Sequence, residues 1–326
     1  MLGHTSDDME SLLSIDDLKE DLEKILQWAI VMKSDNEVAL DFFPLDGMSI
    51  GSIYEKPSTR TRVSFEVGID KLGGNSLTLL KGDIQLGKSE SVADTANVLS
   101  RYLGGITYRC FSHDDVVELS ANSSVPVINA LSDKHHPCQA AADLMTIIEK
   151  KGTDKLKIAW VGDGNNVLHD LVLASAILGF DINWAIPKGY EPDEDVINRA
   201  KEIAAKTGSK LMETNDPIEA VKNADVVYTD VFVSMGEEHL KDKMSDFDGF
   251  QINDDLVSNA KEDYIFMHCL PAHRGEEVTD SVIDSKNSVV FDQAENRMWS
   301  QMSILTYLIN RPAWDTYYEM LEINFN

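Results

Sequence analysis

The chain has 326 residues, and its 56 acidic against 29 basic side chains give a formal net charge of −27. This balance excludes a surface built for nucleic acid or an anionic membrane, and 43% hydrophobic residues exclude a disordered chain. Three cysteines, Cys110, Cys138 and Cys269, are too few and too odd in number for a disulfide framework and suit a reducing cytosol. No basic-then-apolar leader opens the chain and no apolar run has membrane-spanning length, so the expectation is a cytoplasmic protein of two domains.

In chain order, MSIGSIY (48–54) predicts a buried strand. The stretch YEKPSTRTRVSFE (54–66) overlaps its end and holds two of the chain's eight arginines. Pro57 sets a turn, and Ser58, Thr59 and Thr61 suit a helix cap and first turn. Val63, Val67 and Ile69–Leu72 then recur on one helical face until Gly73 and Gly74 end the helix. The backbone N–H groups of a helix start, its positive end and the Arg60 guanidinium together make a place for a doubly charged oxyanion such as phosphate. An ordinary capped helix with solvated arginines would use the same residues. Arg62, two positions on, points away from Arg60 and would tie the helix to acidic neighbours.

The run PCQAAADLMTIIEK (137–150) predicts a helix with Pro137 at its first position, His136 just before it and Gln139 in the first turn. A histidine at the positive end of a helix tends to stay neutral, and a neutral imidazole can donate to a carbonyl that gains negative charge. A capping histidine without chemistry is the alternative. The segment KKGTDK then closes the first domain, near residues 148–156.

Next, LKIAWVGDG (156–164), NNVLHDLVLASAILGF (165–180) and DINWAI (181–186) read as strand, helix and strand. The first turn lacks the dinucleotide fingerprint G-x-G-x-x-G, because Val167 stands where the last glycine would be. A nicotinamide dehydrogenase is thereby disfavoured, and Asn165 and Asn166 instead offer amides at a strand's carboxyl edge. ADVVYTDVFVSMG (224–236) places Asp230 after a strand, where an acid can hold an ammonium or merely cap the loop. YIFMHCLPAH (264–273) places Cys269 at a strand end, as a nucleophile or a structural thiol. SVVFDQAE (288–295) reads as another strand, just ahead of Arg297, and MWSQMSILTYLINRPAW (298–314) as a helix. Strands alternating with helices imply an α/β fold of two domains, each a mostly parallel, Rossmann-like sheet flanked by helices.

Taken together, STRT (58–61), HPCQ (136–139), DVFVSMG (230–236) and HCLP (268–271), in this order, resemble the blocks of the aspartate/ornithine carbamoyltransferase family. The last two favour its ornithine branch. The resemblance implies a carbamoyl phosphate-binding domain (1–150), an L-ornithine-binding domain (151–297) and a C-terminal helix (298–326) packing back on the first. The active site would lie in the interdomain cleft. Ser58, Thr59, Arg60 and Thr61 would grip the phosphate, Arg109 would reach the phosphate or carbonyl, and His136 and Gln139 would contact the carbamoyl group. Gln85 would enter the site of a neighbouring subunit, implying a trimer or a multiple of trimers with shared sites. Asn166, Asp230, Ser234 and Met235 would hold ornithine, Cys269 and Leu270 would sit near the reacting amine and carbamoyl amide, and Arg297 would complete the phosphate site. Arg109, His136, Asp230 and Cys269 would carry the chemistry, with no metal or organic cofactor, because the leaving group is already activated. Other acceptors, such as putrescine or an acylated ornithine, define the nearest rival. A non-catalytic paralogue would be expected to lose these motif residues.

Overall fold

In the computed structural model, which describes residues 10–34, 42–87, 89–233 and 243–324, each apolar run feeds a strand and each loop after it a helix. Residues up to 145 together with those from 295 onward form one unit, and residues 146–294 form a second.

The first unit begins with α1 (Leu22–Ser34), β1 (Ser49–Tyr54), α2 (Arg60–Lys71), β2 (Asn75–Leu80) and α3 (Val92–Leu99). It continues with β3 (Gly105–Arg109), α4 (His113–Asn122), β4 (Val127–Leu131) and α5 (Pro137–Lys151), within which the chain passes to the second unit. The strands make a parallel sheet in the order β2-β1-β3-β4. Residues 50–54 of β1 and all of β3 are buried, as expected of parallel strands covered on both faces. Ile53, Ile106, Tyr108 and Val127 pack there with Val116 and Leu119 of α4.

From β1 the chain first builds β2 on one side, then crosses to build β3 and β4 on the other. Such a reversal opens a crevice at the carboxyl ends of the two central strands, the usual ligand position in open parallel sheets. The β3–β4 register also slips between Tyr108 and Arg109, so that Tyr108 faces Asn129 but Arg109 faces Leu131. An irregularity of this kind re-aims the side chain beside it, here the Arg109 guanidinium.

The second unit contains β5 (Lys157–Val161), α6 (Asn166–Leu178), β6 (Asp181–Ala185), α7 (Glu194–Thr207), β7 (Leu211–Thr214), α8 (Pro217–Val221) and β8 (Val226–Thr229). After it come α9 (Lys243–Asp246), α10 (Asp254–Val257), β9 (Ile265–His268) and α11 (Asp280–Ile283). Its parallel sheet runs β7-β6-β5-β8-β9, with the same reversal between β5 and β8. Val161, Val227 and Phe266 form its core with Phe247, Phe250 and Val290.

The expected strand at 288–295 is a correction. Only Ser288 bridges to Phe266, and α12 (Val290–Ile309) begins two residues later. The Val-Val-Phe run misleads, because Gln, Ala, Glu and Met behind it favour helix and Gln293 N–H already donates to Val289 O at 2.9 Å. Arg297 therefore rides on a helix. α12 stops at Asn310, whose side chain donates to Pro44 O at 2.8 Å, and α13 (Arg311–Asn324) follows. In the first unit α12 is tied to α1 and the residues before it, Ser303 Oγ donating to Ile25 O at 2.8 Å and Tyr307 OH to Asp21 Oδ2 at 2.9 Å.

At the end of β5 the turn admits no side chain. A Cβ added to Gly164 would lie 2.3 Å from Tyr190 O and 2.5 Å from Pro192 N, both backbone atoms. Gly164→Ala is predicted to cost about 1–3 kcal/mol, the usual range for overpacking. Urea unfolding should show a lower midpoint at unchanged slope, and an unchanged midpoint would contradict the tight turn.

Candidate active site

In the first unit, the carboxyl ends of β1, β3 and β4 deliver the motif residues to one edge. β1 runs into Glu55–Thr59 and the start of α2, β3 ends at Arg109, and β4 leads through residues 132–136 to the start of α5. Thr59 occupies the cap position of α2, but its side chain makes no capping hydrogen bond. The first turn of α2 is thus not closed by its own cap, which suits a site for an external oxyanion. Beside it lies a cleft of about 480 Å³ lined by Lys56, Ser58, Thr59, Arg62 and Lys81 among others.

Arg297 is 2% exposed and held by three neutral oxygens. Its Nη1 donates to Gln139 Oε1 at 2.7 Å, its Nη2 to Thr61 Oγ1 at 3.1 Å and its Nε to Gln301 Oε1 at 3.2 Å. Gln139 is oriented in turn by its amide, which donates to Asp143 Oδ1 at 2.8 Å. Gln301, which the motifs do not mark, also donates to Ser64 at 2.8 Å. Its only sequence signal is its place one helical turn after Arg297.

Arg109 is buried, its Nε has no hydrogen-bond partner, and among the described residues it pairs with no carboxylate. Burial, then repulsion from Arg297, pulls its pKa down to about 10, so it remains a cation at neutral pH. Burial, and then Arg297, Arg109 and Arg60, hold the His136 ring well below its ordinary 6.5. The structure thus brings Arg60, Thr61, Arg109, His136, Gln139 and Arg297 together, with cations outnumbering anions. Burial and the Arg109 charge also lower the Lys56 ammonium from its ordinary value. Arg62 lies outside this group: it pairs with Glu66 at 2.9 Å, and Glu66 accepts from Thr78 of β2. Gln85 is exposed between β2 and α3, where it accepts from Ser89 Oγ at 3.1 Å.

In the second unit, β5, β8 and β9 deliver a second group. Asn165 caps α6 through Val167 N at 3.0 Å and Leu168 N at 3.2 Å, and its amide donates to Asp230 Oδ2 at 2.8 Å. Asp230 Oδ1 accepts from Cys269 Sγ at 2.9 Å and Val231 N at 2.8 Å. Both Asn165 and Asn166 offer amides in the sequence and the resemblance points to Asn166, but it is Asn165, an Asn just before a helical run, whose amide reaches Asp230. Asn166 follows as the first residue of α6. Leu270 comes after Cys269 with φ +59°. Ser234 and Met235 lie outside the described residues.

Ligand-type atoms of Asp230, His268 and Cys269 lie within 4.8 Å of one another, as do those of His273, Glu276 and Glu277. Hydrogen bonds account for the first cluster: the thiol donates to Asp230, and both His268 ring nitrogens serve Glu277 and Leu270.

Comparison with known proteins connects the two groups. The carbamoyl-P binding domain of aspartate/ornithine carbamoyltransferase matches residues 10–149, and the Asp/Orn binding domain matches residues 154–308. A catabolic ornithine carbamoyltransferase of Thermoplasma volcanium is 52% identical over 301 residues, which is 92% of this chain and 98% of that protein. An anabolic one of Pyrococcus furiosus is 53% identical over 292 residues, 89% of this chain and 93% of its own. Among solved structures, the ornithine carbamoyltransferase of Pyrococcus furiosus superimposes with a TM-score of 0.89 at 50% identity, covering 94% of this chain and 99% of that one. That of Giardia lamblia does so with a TM-score of 0.85 at 34% identity, covering 93% and 99%. The chain belongs to the aspartate/ornithine carbamoyltransferase family.

Proposed function

We propose that the first group binds carbamoyl phosphate and the second binds L-ornithine, so that the chain transfers the carbamoyl group to the δ-amine of ornithine and releases citrulline and phosphate. The observation that carries the first half is the cation excess around Arg109, a buried guanidinium that pairs with no carboxylate among the described residues, beside a helix start whose cap is unused. A dianionic phosphate supplies the missing charge. Ser58, Thr59, Arg60 and Thr61 grip it from α2, and Arg109 and Arg297 reach it from the side. A guanidinium fork fits phosphate oxygens better than an ammonium does.

The neutral amine nitrogen attacks the carbamoyl carbon, the carbonyl oxygen gains charge, and the carbon–oxygen bond to phosphate then breaks with its electron pair leaving on phosphate, which takes up the proton that the attacking nitrogen gives up. Thr61 Oγ1 accepts from Arg297, which leaves its own O–H to donate to that oxygen. His136, kept neutral by burial and the arginines, donates one N–H without adding a fourth full charge. Gln139, with its oxygen on Arg297 and its amide on Asp143, acts mainly by aiming Arg297.

On the ornithine side, a carboxylate offers about four acceptor positions. Asn165, Cys269 and Val231 occupy three on Asp230, so one remains for an ammonium such as the α-amino group. The Cys269 proton points to Asp230, which leaves sulfur lone pairs to orient an N–H of the δ-amine. That amine must lose a proton before attack, at about 4–5 kcal/mol from a reference pKa near 10.4. A dry site lowers this cost by disfavouring the charged form. Asn166, Ser234 and Met235 complete the ornithine contacts in this reading, and Gln85 serves the site of a neighbouring copy in a trimer. Among the described residues no helix is long and apolar enough to cross a membrane, and the three cysteines are free, in keeping with a reducing cytoplasm.

Purified protein given ornithine and carbamoyl phosphate should form citrulline, and putrescine or an acylated ornithine should be poor acceptors. Arg60→Ala should raise the KM for carbamoyl phosphate about 10–100-fold, the worth of one charge-assisted bond, while circular dichroism stays native. Near-normal KM would remove Arg60 from the phosphate site.

Cys269→Ser should lower turnover with ornithine and leave carbamoyl phosphate binding intact. A change confined to melting temperature would make the thiol structural.

His136 also sets a pH dependence. The unfolded ring takes up a proton near pH 6.5 and the folded ring does not, so the unfolded state binds more protons below that pH. Stability should therefore fall as pH drops below about 6.5 and be flat above it, an increment of acid sensitivity that passes through this residue. Urea midpoints of His136→Asn should lack that increment, and equal acid sensitivity in both proteins would contradict it.

A further inference from the structure

We infer that Glu277 is a positioning residue, which holds the His268 ring in one tautomer so that the ring's other nitrogen fixes the Leu270 backbone beside Cys269. This rests on the reading that the Cys269–Leu270 loop meets the substrates. β9 ends at His268, whose side chain is fully buried. Its Nδ1 receives the Leu270 N–H at 2.9 Å, so that nitrogen carries a lone pair and not a proton. The ring proton is therefore on Nε2, which donates to Glu277 Oε1 at 2.9 Å.

Glu277 is itself immobilised. Its side chain is fully buried, Oε1 also accepts the His273 N–H at 2.6 Å, and its carbonyl accepts the Ile252 N–H at 2.8 Å. The opposite tautomer would set a ring lone pair against the carboxylate and a ring N–H against the Leu270 N–H. The tautomer is thus selected at both nitrogens, by the Glu277 carboxylate at Nε2 and by the Leu270 N–H at Nδ1.

The consequence falls on Leu270. Its φ of +59° lies in the left-handed region that a bulky L-residue rarely enters, and the bond to His268 Nδ1 helps to hold it there. Cys269 lies between the two bonded residues, and its Sγ reaches Asp230 at 2.9 Å from that fixed backbone. His268 is not in the proton path: both its nitrogens are engaged, and the thiol proton goes to Asp230.

The test uses Glu277→Leu, Glu277→Gln, His268→Asn and His268→Leu in the full chain, read by ¹⁵N-histidine NMR and steady-state kinetics. Leucine at 277 removes the acceptor, so the Nε2–H tautomer should lose dominance and kcat should fall about 10²-fold, the scale of a small misplacement of reacting groups. The KM for carbamoyl phosphate should change little. Glutamine keeps an acceptor oxygen and should retain the tautomer and kcat within a few-fold. Asparagine at 268 places an oxygen near the Nδ1 position and should outperform leucine there, which keeps the inference testable if Glu277→Leu fails to fold. Wild-type tautomer and kcat in Glu277→Leu, or equal losses in both His268 variants, would overturn the lock. A tautomer change without loss of kcat would also overturn it, and Cys269→Ser assayed alongside shows whether the loop's substrate role falls as well. If Cys269→Ser still impairs turnover, the lock alone has failed.

Discussion

Repulsion among buried cations is the constraint on which the rest depends. Arg109 and Arg297 lie almost out of solvent, Arg60 adds a third charge, and Arg297 donates to an alcohol and two amides. Paired with carboxylates, these arginines would form stable internal bridges with little left for a ligand. Arg109, which pairs with no carboxylate among the described residues, keeps its field for an incoming dianion, and three neutral oxygens aim Arg297. Separating such charges from water is costly, and the sheet, the register slip at Arg109 and the packing of α12 keep them in place despite that cost.

The same constraint explains the contrast between the site and its setting. A chain with a net charge of −27 repels anions at a distance and attracts cationic amino acids such as ornithine. Screening limits the repulsion to about 8–10 Å at physiological salt. Over the few ångströms where guanidinium groups act, the local field dominates. Catalysis here needs no extended positive surface, only a dense positive point at the edge of one sheet.

Much of this was legible in the sequence because it rests on local rules. Proline at the first position of α5, the glycines after α2 and the apolar runs before the Arg60 and Asp230 loops each act over a few residues, and the motif order did the rest. What stayed hidden depends on distant partners. The buried strand β4 carries Asn129, whose amide finds its partner, Leu13 O, only in the assembled unit. The run at 288–295 has strand-like residues, yet only a single bridge forms there before α12 begins. Asn165 reads as a cap, and its second bond, to Asp230, spans 65 positions. Gln301 and Glu277 act through other side chains, so no motif of reacting groups marks them.

The first unit joins an early and a late part of the chain, and the third arginine of its anion site, Arg297, comes from the late part. On the ribosome, that residue appears only after the whole second unit, residues 146–294, has emerged. The sheet that carries the phosphate loop can assemble early, since domains tend to fold from the N-terminus as they are made. Its anion site nevertheless stays one guanidinium short until the second unit has been made. Catalytic competence is thereby tied to passage through the second unit: a polypeptide released before it carries the fold's signature loop without the grip that makes it work.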